Sequence, residues 1–142
     1  MGRSRSLLLL WAALAAFAGP PPVQPPPFLD GLFPCTGCHD GVRVVTNPRR
    51  RVLEDMHENI VLNHLGGTRW CFDCHDPRER DRLHLKTGEP IDFTASWRLC
   101  AQCHAAKVQA WQAREHGAPR KPAGPGGPLP LCVSCHNPHA PR

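Results

Sequence analysis

Four stretches of this chain share one spacing: two cysteines separated by two residues, with a histidine directly after the second. They read CTGCH from Cys35 to His39, CFDCH from Cys71 to His75, CAQCH from Cys100 to His104 and CVSCH from Cys132 to His136. Together they use all 8 cysteines of the chain. Thiols in this spacing have three common uses. Two pairs can supply four thiolates to a tetrahedral zinc. One pair can close as a redox disulfide. When histidine follows directly, the thiols can add to the vinyl groups of a haem as thioethers, leaving the imidazole aimed at the iron. Only the third use requires histidine at that place. With 9 histidines in 142 residues, four such adjacencies by chance have a probability on the order of 10⁻⁵. The sequence therefore predicts four covalently bound haem c groups. Their attachment residues are Cys35, Cys38, Cys71, Cys74, Cys100, Cys103, Cys132 and Cys135, and their proximal iron ligands are His39, His75, His104 and His136.

Five histidines lie outside the motifs: His57, His64, His84, His116 and His139. That is one more than four distal positions need. Two imidazoles on one iron occupy opposite faces of the porphyrin. His139 follows His136 too closely to reach around the same ring, so it is expected to serve a different haem. His116, about 18 Å from His104 if both are helical, is likewise expected to serve another ring. His57 and His64, two helical turns apart, complete the expected distal set. His84 sits in the charge run RERDRLHLK and is treated as the surplus histidine. Met56 is the only methionine besides Met1, so a set of His/Met centres, which have raised potentials, is not expected.

The elements that must position these groups are few. The chain carries 17 prolines and 12 glycines, which leaves little room for long regular elements or a large apolar core. The expected fold class is mostly irregular with a few α-helices and no substantial β-sheet, a compact multihaem arrangement organised around four haems. One helix is expected to begin at Asn47-Pro48, a capping residue followed by a proline at the first helical position. It carries Leu53, Met56, His57, Ile60 and His64 on one face and stops at Gly66-Gly67. A second is expected from about Leu99 to Glu115, with Gly117 as its stop. Residues 76–96 and 117–131 read as loops. Trp70, Trp97, Trp111, Phe72 and Phe93 lie near the motifs, where packing against porphyrin faces is the simpler expectation than an electron relay.

Residues 1–18 have the pattern of an export signal: Arg3 and Arg5, the apolar run Leu7 to Ala18, and an A-x-A site at Ala16-Phe17-Ala18. Residues 19–34, GPPPVQPPPFLDGLFP, read as a proline-rich tether acting as a spacer, and 35–142 as the tetrahaem domain. The formal charge of +5 is weak support for nucleic-acid binding. Removal of Arg3 and Arg5 lowers it to about +3. Eight ionised propionates and four ferric cores would bring it to roughly −1 oxidised and −5 reduced.

Taken together, the four C-x-x-C-H motifs, their short intervals and the CHNPH ending from Cys135 to His139 resemble small multihaem c-type cytochromes of the class III, tetrahaem type, over residues 35–142. The resemblance implies bis-histidine ligation, a fold with little regular structure, and electron relay between periplasmic or membrane redox partners. It places His39, His75, His104 and His136 as proximal ligands, and His139 fits the pattern of a distal ligand just after a motif. The chain lacks the adjacent CHH arrangement of some members, so no ligand map transfers. The function expected is that of a periplasmic, bacterial electron carrier with redox-protein partners, no small-molecule substrate, no nucleic acid and no catalytic residue of its own. Two other readings stand beside it. A membrane-anchored quinol dehydrogenase subunit would need the N-terminus retained. A nitrite- or hydroxylamine-converting enzyme would need an open iron position and acid/base groups.

Overall fold

The computed structural model describes residues 19, 21–28, 32–39, 49–54, 56–117 and 127–141. The export segment at 1–18 lies outside these residues. Within them the chain is mostly irregular, with one α-helix, one two-stranded sheet and several single 3-10 turns.

The helix is Ser96–Gln112, 17 residues free of proline and glycine and rich in Ala and Gln. It starts earlier than its apolar pattern suggests because a 3-10 turn, Phe93–Ala95, leads straight into it. It also ends earlier. Arg114 takes a left-handed conformation (φ 62), and the amides of Glu115 and His116 both return to the carbonyl of Ala110, at 2.8 and 3.1 Å. Arg114 thus does the work expected of Gly117, whose own φ of 70 serves the following turn. Inside the helix, His104 departs from helical geometry (φ −113, ψ 40).

The core is small. Val108 and Trp111, from the last turns of the helix, pack against Leu129, and Leu131 is buried beside Pro130. Trp111 is 2% exposed, and its indole Nε1 donates to the carbonyl of Pro130 at 2.8 Å. The proline-rich segment does not behave as a free spacer. Leu129 N donates to Pro22 O and Gln24 N to Leu129 O, both at 2.8 Å, and Val23 packs on the core. Further along, Phe28 and Phe33 stack at 4.0 Å and meet the edge of Phe93 at 5.1 and 5.9 Å. An extended proline-rich strand has little conformational freedom to lose on docking, and its prolines keep their carbonyl acceptors.

The segment 76–96, expected as loop, contains a short hairpin. Strand β1 (Leu83–His84) pairs antiparallel with β2 (Pro90–Ile91), Leu83 opposite Ile91 and His84 opposite Pro90. Gly88, at φ 84, makes the turn. Leu83 and Ile91 are buried.

The helix expected from Asn47-Pro48 to Gly66-Gly67 is corrected. Its first residues lie outside those described, and none of residues 49–54 or 56–67 is α-helical. His57 has φ 75, and His64–Gly67 is a 3-10 turn containing Leu65 at φ 49. The physical reason is that Met56, Ile60, Val61 and Leu65 are exposed with respect to the rest of the chain, so an amphipathic helix here would gain little from packing against other protein segments. Helical stability in proteins comes mainly from such packing. The segment is held instead from outside, by Asn63 N donating to His139 O at 2.8 Å and by Arg50 bonding Gly67 O.

Candidate metal centres

Three of the four motifs fold the same way. CTGCH, CFDCH and CVSCH each form one 3-10 turn, at Cys35–Gly37, Cys71–Asp73 and Cys132–Ser134, entered from an extended residue (Pro34, Trp70, Leu131). In each, the amide of the motif histidine donates to the carbonyl of the first cysteine at 2.9 Å. This turn is what a two-residue spacer allows: the chain closes once between the thiols and delivers the histidine just beyond it. The CAQCH motif lies within the helix Ser96–Gln112, and the break at His104 reorients its last residue.

The four motif histidines each face one histidine from elsewhere in the chain. His39 and His57 have ring centroids 6.1 Å apart with planes 15° from parallel. His75 faces His139 at 6.2 Å and 19°. His104 faces His64 at 6.3 Å and 24°, and His136 faces His116 at 6.1 Å and 12°. His139 therefore stands against His75 rather than His136, and His116 against His136 rather than His104. His57 and His64 go to two different partners without a helix between them. These distances are too long for stacking contact and too regular for coincidence. An imidazole nitrogen binds a first-row metal at about 2 Å, and the ring centre lies about 1.1 Å further out, so two imidazoles trans on one metal have centres about 6.2 Å apart. The residues fit an iron held between two imidazoles, four times over.

The surroundings favour the neutral, ligating form at three of these rings. Burial, followed by the neighbouring His139, lowers the pKa of His75 to about 4. Burial also lowers His139 and, with the Arg80 charge, His39. A neutral imidazole offers its lone pair to a metal. None of the eight cysteines is joined to another as a disulfide. Burial raises the pKa of Cys35, Cys71 and Cys74. Cys100 and Cys132 hydrogen-bond through their side chains, which raises Cys100 and lowers Cys132 to about 7. The first thiols of the third and fourth motifs are therefore neighbours. Among the described residues, no three His, Cys, Asp or Glu side chains converge to hold a metal ion, so the thiol pairs do not assemble into a tetrahedral set there.

His84 is placed apart from the four pairs. Its Nδ1 lies 2.9 Å from Leu85 O and its Nε2 2.8 Å from Phe72 O, so both nitrogens are engaged by backbone. Met56 is 66% exposed. Of the aromatic residues, Phe93 lies 6.0 Å from the His75 ring, and Trp97 and Trp111 pack at 5.8 Å. The pairing of each motif with its outside histidine is the feature that sequence reasoning missed, and no local signal encodes it. In the fold, Pro138 O lies 3.1 Å from His64 Nδ1, and the His139 carbonyl accepts from Asn63 N. The C-terminal ligand is thus tied to the segment carrying His64.

Comparison of the chain with protein-family models, with curated proteins and with solved structures finds no match.

Proposed function

We propose that the protein is an electron carrier holding four covalently attached haem c groups, each capped on both faces by histidine. The observation that carries this reading is the set of four imidazole pairs at 6.1–6.3 Å, each joining one C-x-x-C-H histidine to one histidine outside the motifs. When bound, haem supplies one-electron redox chemistry at iron. The chain's residues do the rest. Cys35/Cys38, Cys71/Cys74, Cys100/Cys103 and Cys132/Cys135 fix the groups in place. His39/His57, His75/His139, His104/His64 and His136/His116 hold the metals. The exposed apolar side chains Val52, Met56, Ile60, Val61 and Leu65 are suited to cover porphyrin faces.

Full axial occupation favours a carrier over an enzyme, because no metal position is left for substrate. Among the described residues, no helix is long and apolar enough to cross a membrane. With the export pattern at 1–18, we place the mature protein in the bacterial periplasm, exchanging electrons with redox-protein partners. The test is the spectrum of the matured protein with and without carbon monoxide. Low-spin centres in both oxidation states and no carbon monoxide uptake are expected. High-spin iron, or uptake without displacement of a side chain, would transfer support to the enzyme reading.

A further inference from the structure

The charged run RERDR, from Arg78 to Arg82, reads in sequence as a solvated surface, yet its two central acid and base residues reach two different motifs. Asp81 accepts two hydrogen bonds from Thr36, the second residue of CTGCH: one from Oγ1 at 2.6 Å and one from the backbone amide at 3.2 Å. Arg80, its neighbour, places its guanidinium carbon 4.6 Å from the ring centroid of Phe72, the second residue of CFDCH. The two motifs are 36 positions apart and are joined at matching places by adjacent residues. The loop that presents them is closed on itself. Asp76 N donates to Arg82 O at 3.0 Å, Arg82 N to Glu79 O at 2.9 Å, and the Asp76 carboxylate accepts the amides of Arg78 and Glu79 at 2.7 and 2.9 Å. A side-chain turn of this kind fixes a short loop well.

We infer that Arg80 and Asp81 form a clasp that positions the first two haem motifs against each other and sets the reduction potentials of the groups they hold. The inference rests on the haem reading above. Arg80 stands over Phe72 of the second motif and is next in sequence to Asp81, which is bonded to Thr36 of the first, so the cation lies between the two motifs. The Asp81 carboxylate meets the first motif, through Thr36. An iron that gains an electron loses one positive charge, so a nearby fixed cation favours the reduced state and a nearby anion disfavours it. Arg80 and Asp81 are positioning residues with opposite electrostatic signs: the cation sits on Phe72 of the second motif beside the residue that holds the first, and the anion is bonded to the first.

The test is a spectroelectrochemical titration of the holoprotein with Arg80→Gln, Arg80→Lys and Asp81→Asn. Arg80→Gln is expected to lower the potential of two of the four centres, each by about tenfold in the reduction equilibrium, which is about 59 mV for a one-electron couple. Arg80→Lys keeps the charge and is expected to retain most of the wild-type potentials. Asp81→Asn is expected to raise one centre. If Arg80→Gln does not mature, the sign and number of centres moved by Asp81→Asn carry the test. Unchanged potentials, a uniform shift of all four centres, or an Arg80→Lys shift as large as that of Arg80→Gln would overturn the clasp. Wild-type protein with four haems and unmoved variants defeats this inference alone. Wild-type protein with eight reactive thiols defeats the haem reading and this inference with it.

Discussion

Replacing His116 with alanine should open one metal centre and leave three closed. His116 faces His136 at 6.1 Å with planes 12° from parallel, against about 6.2 Å expected for two imidazoles trans on one metal. Truncation to a methyl group removes one of the two nitrogens. The other histidines outside the motifs are each placed elsewhere. His84 is engaged at both nitrogens by Leu85 O and Phe72 O, and His139 and His64 stand against His75 and His104. On the haem reading the group stays attached, because Cys132 and Cys135 would hold it independently of the distal ligand. The expected change is therefore about a quarter of the total iron moving from six-coordinate low-spin to a site that takes up carbon monoxide, one per chain. Electron paramagnetic resonance of the oxidised protein and carbon monoxide titration of the reduced protein measure this directly. His84→Gln is the matched control and should leave all four centres low-spin. A wholly low-spin His116→Ala protein, a change in all four centres together, or a centre opened by His84→Gln would overturn the pairing of His116 with His136.

Acidification gives a second expectation. The folded-state pKa of His75 lies below its ordinary value of 6.5, at about 4, so the stability linked to its neutral form is present above pH 6.5 and is lost as pH falls through about 4. Iron coordination can only extend that range downward. The low-spin absorption should persist through pH 6.5 and fall at about pH 4 or below, and a loss centred near pH 6.5 would contradict the placement of His75. A third concerns the small core: Trp111→Ala removes a side chain 2% exposed that bonds Pro130 O. It should cost about 3–5 kcal/mol in denaturant unfolding, with Trp111→Phe costing about 1–2 kcal/mol.

Much of the candidate site was legible because its signal is local. A cysteine, two residues, a cysteine and a histidine specify one turn, and three of the four motifs adopt that turn from Cys35, Cys71 and Cys132. Chain length alone separated His139 from His136. The partners of the outside histidines were not legible, because each pairing joins distant segments: His64 meets His104 and His75 meets His139. The mostly irregular fold followed from proline and glycine content, and the second helix from its helix-forming composition. The first expected helix failed on its periodicity. Met56, Ile60 and His64 have helical spacing, but with no protein surface to pack against, spacing alone does not stabilise a helix. The docking of residues 21–28 was hidden for the opposite reason. Proline-rich composition describes a stiff extended chain, whereas the bonds between Pro22, Gln24 and Leu129 depend on a strand more than 100 positions away. Arg80 and Asp81 were likewise concealed in a charge run whose solvent-facing reading holds for most such runs.

If the eight thiols are consumed in binding four haems between paired histidines, the matured protein carries no free thiol. An intact mass spectrum of the matured protein, with thiol alkylation before and after denaturation, tests it most directly. The predicted mass is that of residues 19–142 plus four haems, with no cysteine open to alkylation in either condition. A mass without added haem, together with eight alkylated cysteines on denaturation, would contradict it.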